Sequence, residues 1–376
     1  MAIVNTHYGF CAKGGAALKF TYTGEYNVRD DGVVELLTSG TIVFLEPKVI
    51  DVFMVGGGGG GGMRVTSNRG FGGGGGGYTR TIKRLNVEAN TQIPITVGAG
   101  GAVSSNANGN PGGDSSFNLY SVPGGKGGNN STSAPQGGNG GSGGGTGITS
   151  TSDYGAGGSD GANGEGNGAG VPGGTGQGLT TREFGESNGK LYAGGGGGGR
   201  YMSSQTPIIS SGGNGGGGSG GWSGSNSALY QPAAAGVANT GGGGGGGAIT
   251  TTAAPGAPAG TGGSGIVCFR DAQELPELAG TWVLNERLYA PEGRIDFETD
   301  FTAGSSPTTQ SFKVNRVVIT NIDLKINNKF SGYTTLYSFE NSTWKNANYK
   351  YWVFPAGATA SDEFRAWLAS NATKQS

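Results

Sequence analysis

Seven consecutive glycines, Gly56 to Gly62, and seven more, Gly241 to Gly247, bracket a tract that few folds can hold. Gly72 to Gly77 and Gly194 to Gly199 lie between them, and most of the chain's 85 glycines fall within 56–265. Glycine gives up more backbone freedom on ordering than any other residue. Such a tract is either unfolded or held together by its backbone alone. Disorder is the reading that composition suggests, with 85 Gly and 14 Pro in 376 residues. Two features oppose it. Charge within 56–265 is sparse, whereas disordered tracts are usually rich in it. The glycine blocks are also separated by short segments that carry bulky residues at repeated places.

The ordered alternative is a bundle of polyglycine II helices. Such a helix is extended, threefold and left-handed, with no internal hydrogen bonds. Packed side by side, neighbours satisfy each other's N–H and C=O groups, and the missing side chains let the backbones close up. The glycines come in blocks rather than at every third residue, which excludes collagen.

Apolar residues are 34% of the chain, so no single large core runs through it. The net charge of −1 argues against an electrostatic grip on nucleic acid. No apolar run approaches the roughly 20 residues that span a bilayer, and the N-terminus has no signal-peptide pattern. Cys11 and Cys268 are too few for a disulfide scaffold and read as two thiols, a bridge between them being the alternative. His7 is the sole histidine, and by itself it makes neither a histidine-based metal site nor a catalytic triad. No cofactor is expected.

Taken in order, 1–17 reads as an N-terminal arm. Segments 18–22, 33–37, 41–45 and 49–55 are rich in β-branched and aromatic residues and broken by turn residues, so 18–55 reads as a base of strands. Further base strands are expected within 78–97 and at 266–270. Because strands run into glycine at 55, 78, 97 and 266, the passes of the bundle, 56–265, should start and finish at one common end. Single legs can be drawn at 56–62, 70–77, 98–103, 109–113, 123–128, 137–147, 193–199, 212–221, 236–247 and 255–265, and two more in 155–178 make about twelve in all. At roughly 3.1 Å per residue they span about 20 to 35 Å. Parity then puts the connectors 78–97, 114–122, 148–154, 179–192 and 222–235 at the base, with aromatics such as Phe117, Phe184, Tyr192, Trp222 and Tyr230. It puts 63–69, 104–108, 129–136, 163–167, 200–211 and 248–254 at the far end. After a linker at 271–279, residues 280–376 read as a separate small β-rich domain with one short helix, capped by Thr359 and Asp362. The fold class is thus mainly β, with a polyglycine II bundle capped at one end by strands.

The run Ile50-Asp51-Val52-Phe53-Met54-Val55 before Gly56 to Gly62 resembles the glycine-rich domain of phage tail-fibre and adhesin proteins. Further pieces match in order. They are Gly72 to Gly77 with Tyr78, Ile95 to Gly101, Gly113 to Phe117 and Gly263 to Val267. This resemblance covers roughly 40–270. The segments 281–286 and 367–373 look like a C-terminal module of tail proteins from phages of Gram-positive gut bacteria. The resemblance implies a receptor-binding protein of the virion tail tip, made in the host cytoplasm. Its loops meet a host polysaccharide or protein receptor, and its base docks on other tail-fibre or baseplate proteins. Homotrimers are implied by the same analogy, with no nucleic-acid partner and no membrane insertion. A structural fibre connector is the alternative.

Catalysis has little support. Asp296 with Glu298, and Asp362 with Glu363, could in principle serve a glycosidase, but their settings read as solvated strand and helix faces. Formal GxGxxG matches mean nothing in so glycine-rich a chain, and no helix follows them. Asp153, Asp160 and Glu165 are too scattered for a calcium loop. Arg and Tyr are favoured at binding hot spots, so Arg64, Arg69, Arg200, Tyr201 and Met202 on the far-end connectors are the candidate receptor contacts. Trp344, Tyr351 and Trp352 are further candidates, as platforms for a sugar.

Overall fold

The computed structural model describes residues 5–8, 19–65, 69–132, 135–147, 181–201, 209–224, 230–249, 256–272, 275 and 277–284. It further describes 296–302, 310–314, 321–327, 339–340, 343–344, 351–354, 365, 368–369 and 372–374. The structure is mainly β. The chain divides into two compact units, 1–272 and 273–376.

The first unit begins with β1 (Asn5–Tyr8), β2 (Lys19–Tyr22), β3 (Tyr26–Val28), β4 (Val34–Leu36), β5 (Gly40–Phe44) and β6 (Lys48–Val55). After the first glycine run come β7 (Arg69–Gly70), β8 (Thr79–Val87), β9 (Gln92–Thr96), β10 (Ser115–Phe117) and β11 (Tyr120–Val122). The short strands β12 (Arg200–Tyr201), β13 (Trp222–Ser223), β14 (Tyr230–Gln231) and β15 (Ala248–Ile249) precede β16 (Ile266–Asp271).

One base sheet has the order β1-β2-β5-β9-β10-β11 and the other β3-β4-β16-β6-β8. The apolar core lies between them. Phe20, Phe44, Ile93 and Phe117 of the first meet Leu36, Val52, Met54 and Phe269 of the second, all buried. Along β9, buried Ile93 and Ile95 alternate with exposed neighbours, which is the half-buried strand pattern. Strand β6 instead reads as an almost unbroken apolar run because both its faces are covered. Phe53 and Val55 point away from the sandwich and pack on Phe184, Tyr192 and Ala193.

That covering segment is held by charge. Arg29 donates to Glu183 at 2.9 and 2.8 Å, and the Tyr192 hydroxyl donates to the same carboxylate at 3.0 Å. Arg270 pairs with Glu186 and, at 3.3 Å, with Asp51. Burial pushes both the Tyr192 hydroxyl and the Cys268 thiol well above their ordinary pKa values.

The glycine runs leave the base as extended passes bonded to one another. Along 56–62 the partner changes with a period of three. Gly56, Gly59 and Gly62 donate to Tyr78, Gly75 and Gly72; Gly57 and Gly60 to Gly113 and Asn110; Gly58 and Gly61 to Gly263 and Gly260. Three other passes donate to the same run, through Gly125 and Gly128, through Gly101, and through Gly244 and Gly247. The run thus has six neighbouring passes. A methyl group at Gly58 would overlap the carbonyl of Gly242, so only glycine admits this spacing.

Hydrogen-bond partners also fix the direction of each pass. Two single legs drawn from the sequence are hairpins. Residues 135–141 run towards the base and 142–147 away from it, with Gly144 donating to Gly138 across the pair. Likewise 210–215 and 216–221 reverse at Gly215 and Gly216, whose φ values are +95° and +96°. A third drawn leg, 236–247, starts at the base only from Gly241. Residues 232–237 form a pass towards the base, and a turn at 238–240 follows. Consequently Trp222 and Tyr230 sit at the far end and not at the base. Residue 147 also lies at the far end, bonded to Pro135, which contradicts a base connector beginning at 148. The legs expected in 155–178 and the turn at 163–167 lie outside the described residues. Phe117, Phe184 and Tyr192 do lie in the base, as parity requires.

In the second unit, β17 (Gly280–Leu284), β18 (Asp296–Thr302), β19 (Gln310–Val314), β20 (Asn321–Asn327), β21 (Phe339–Glu340), β22 (Thr343–Trp344), β23 (Tyr351–Phe354) and β24 (Ala372–Lys374) are present. They form the sheets β23-β17-β24 and β18-β20-β19 and the hairpin β21-β22. Trp282 is buried, and its indole N–H donates to the Leu278 carbonyl at 2.8 Å. The expected cap residues Thr359 and Asp362 lie outside the described residues.

Candidate functional site

The far end of the passes gathers residues that are distant in sequence. The passes 193–199 and 216–221 both run away from the base, so their continuations β12 and β13 emerge side by side and pair in parallel. Strand β14 returns as a hairpin on β13. Beside them β15 pairs with β7, and the Gly199 N–H donates to the Phe71 carbonyl at 2.7 Å, tying β12 to β7. The segment after the first run joins through Met63, which bridges to Ala107.

A cavity of about 520 Å³ opens among these pieces. Its wall is apolar, from Met63, Val65, Val103, Tyr230, Ile249 and Pro258, with Ser104 and Ser105 adding hydroxyls. Val65 and Tyr230 are 46% and 40% exposed, large values for residues of this kind, so their apolar surface faces solvent. A volume of this size suits a small ligand or a few side chains of a partner.

Next to the cavity wall is a polar cluster. Arg200 is 7% exposed, and its Nε and Nη1 atoms have no hydrogen-bond partner. Trp222 stands opposite it in the β12–β13 register and Ser223 opposite Tyr201. Trp222 Nε1 and Ser223 Oγ are buried and also without a partner. Burial pulls the Arg200 guanidinium below its ordinary pKa.

Of the candidates named from sequence, Arg64 and Arg69 lie at this end, Arg64 partly buried and Arg69 exposed. Arg200 and Tyr201 form β12, with Arg200 buried rather than displayed. Met202 lies outside the described residues. Trp344, Tyr351 and Trp352 belong to the second unit, where Trp344 pairs with Phe339, Tyr351 with Val283 and Trp352 with Trp282. Sequence reasoning missed Trp222, Tyr230, Met63 and Ile249. The signal that recovers the first two is an Asn-Gly pair, Asn214-Gly215, inside a glycine run, which marks a reversal. Asn139-Gly140 marks the other reversal.

Among the described residues no helix is long and apolar enough to cross a membrane, and no group of three or more His, Cys, Asp and Glu residues is placed to hold a metal ion.

A glycine-rich domain family matches residues 38–271. The chain belongs to that family. No curated protein matches it. The limits of the glycine-rich domain coincide with structure, since 38 lies just before β5 and 271 is the last residue of β16. Family membership therefore joins base strands and glycine passes in one unit.

Proposed function

We propose that the glycine passes are polyglycine II helices in hexagonal array, and that this array is a rigid display platform in a non-enzymatic, receptor-binding protein of a phage tail tip. The observation that carries this reading is the far end itself. Connectors remote in sequence converge there around a solvent-facing apolar cavity, and Arg64, Arg69 and Arg200 lie at the same end. Loops pinned at both ends by hydrogen-bonded passes lose little entropy on binding. The threefold alternation of partners and the six neighbours of 56–62 support the helix assignment. Residues 280–376 are then a separate β-rich domain. The tail assignment rests on the resemblance of the glycine-rich segments.

The connector reading also has an observation behind it. Leu119, on the β10–β11 hairpin of the base, is 91% exposed, which fits a base that docks on a neighbouring protein. The test is attachment of the purified full chain to a panel of bacterial strains. Far-end recognition predicts that Tyr230→Ser with Arg69→Ser abolishes attachment, while Trp344→Ala with Tyr351→Ala leaves it intact. Attachment to no strain in a broad panel, together with capture of a tail protein that Leu119→Asp abolishes, would favour the connector.

A further inference from the structure

Among the described residues of the far end there is no carboxylate. The connectors 63–69, 103–108, 130–134, 200–209, 222–231 and 248–258 contain Arg64, Arg69 and Arg200 and not one Asp or Glu. The base is the opposite, with Arg29, Lys83 and Arg270 each matched to carboxylates. Connector 148–180, which holds Asp153, Asp160 and Glu165, lies outside the described residues.

In this setting Arg200 is anomalous. A buried guanidinium is normally paired, because an uncompensated buried charge is strongly unfavourable. Here two of its nitrogens have no acceptor, and the indole N–H of Trp222, its cross-strand partner on the same face, lacks one too. One short stretch of parallel ladder thus concentrates unmet hydrogen-bond donors. Turning the Arg200 side chain outward gives up no hydrogen bond at Nε or Nη1. The neighbouring strand β7 carries the exposed Arg69.

We propose that Arg200, with Trp222 and Arg69, forms an anion-binding site for a phosphate- or carboxylate-bearing surface polysaccharide. The polymer's charge meets Arg69 at the surface, and an anionic oxygen then becomes the missing acceptor for the Arg200 guanidinium. This names the receptor chemistry of the far end and so rests on the display reading, but it is testable without cells.

The experiment is thermal unfolding and titration of the full chain with three probes: poly(glycerol phosphate), polygalacturonate and neutral dextran. The expected result is stabilisation and binding by one anionic polymer, weakening as salt rises, with no response to dextran. Whichever polymer acts identifies phosphate or carboxylate as the group recognised. Arg200→Met should melt no lower than the parent, because it removes an uncompensated buried cation. It should also lose about tenfold or more in affinity for the polymer. Should Arg200→Met prove unfolded, Arg69→Ser, a change at an exposed position, is expected to weaken binding severalfold on its own. Equal response of the parent and both variants, or no response of the parent to either polyanion, overturns the site. If attachment to cells is lost on changing Tyr230 while neither polyanion binds, the anion site fails and the display reading stands. If a polyanion binds through Arg200 while cells attach regardless of the far end, the display reading fails and the anion site stands.

Discussion

The base and the glycine passes hold themselves together by opposite means. The base buries large side chains between two sheets, Phe20, Phe44 and Phe269 among them, whose rings meet edge to face at centroid distances of 5.4 and 5.5 Å. The passes bury no side chain of their own along 56–62, and only backbone donors and acceptors meet. A backbone hydrogen bond contributes about 1 kcal/mol net, whereas ordering a residue's backbone costs about 1–2 kcal/mol. Passes alone are therefore near break-even at best, and the apolar base supplies the surplus that keeps them registered. Substitutions of like size should consequently act very differently in the two regions.

The largest effect is expected in the passes. Gly58→Val drives a branched side chain into the Gly242 carbonyl within a run bonded on all sides. It should destabilise the passes by more than about 4 kcal/mol and abolish amide protection there, while the near-ultraviolet signal of the base survives. Loss of both together would erase the distinction between the two regions. Next, Phe269→Ala opens a cavity in the base core and should cost about 3–5 kcal/mol in a denaturant melt. Because the passes depend on the base, they should melt with it. Third, Glu183→Gln removes the charged acceptor shared by Arg29 and the Tyr192 hydroxyl and should cost about 2–3 kcal/mol. Fourth, Gly113→Ala sharpens the contrast, since a methyl there comes no nearer than 3.0 Å, to the Ala99 nitrogen. Its effect should stay below about 1 kcal/mol, far from that of Gly58→Val.

The smallest effect is one of pH. The hydrogen bond from Arg29 holds the Asp31 carboxyl below its ordinary range. Its contribution is then complete above the unfolded value of about 3.9 and fades as the pH falls through the lower folded value. Asp31 is more than half exposed, so the loss should be well under about 1 kcal/mol. Asp31→Asn should flatten the stability curve between neutral pH and the acid limb by that amount.

The base was legible in the sequence because its side chains announce it. Alternation marks β9, and the covered strand β6 appears as an apolar run interrupted only by Asp51 after Lys48. The passes were legible only as a group. A reversal such as Gly215-Gly216 uses the same residue type as the passes it joins, with Asn214 its one mark, and missing it put the connector that follows at the wrong end. That error moved Trp222 and Tyr230 to the wrong end and hid the part of the cavity wall made by Tyr230 and Pro232. The arginines escaped the error, since Arg64, Arg69 and Arg200 lie at the far end as drawn. Burial of Arg200 could not be read locally, because it depends on strands that begin at 222 and 248.

Amide hydrogen exchange resolved to single glycines tests the central claim most directly, that interpass backbone bonds make 56–62 as solid as the base. The account predicts that Gly57 to Gly61 exchange as slowly as Val52 to Met54 in β6, with no faster class among residues facing different passes. Exchange of those glycines at the rate of an unfolded peptide, with β6 still protected, would contradict it.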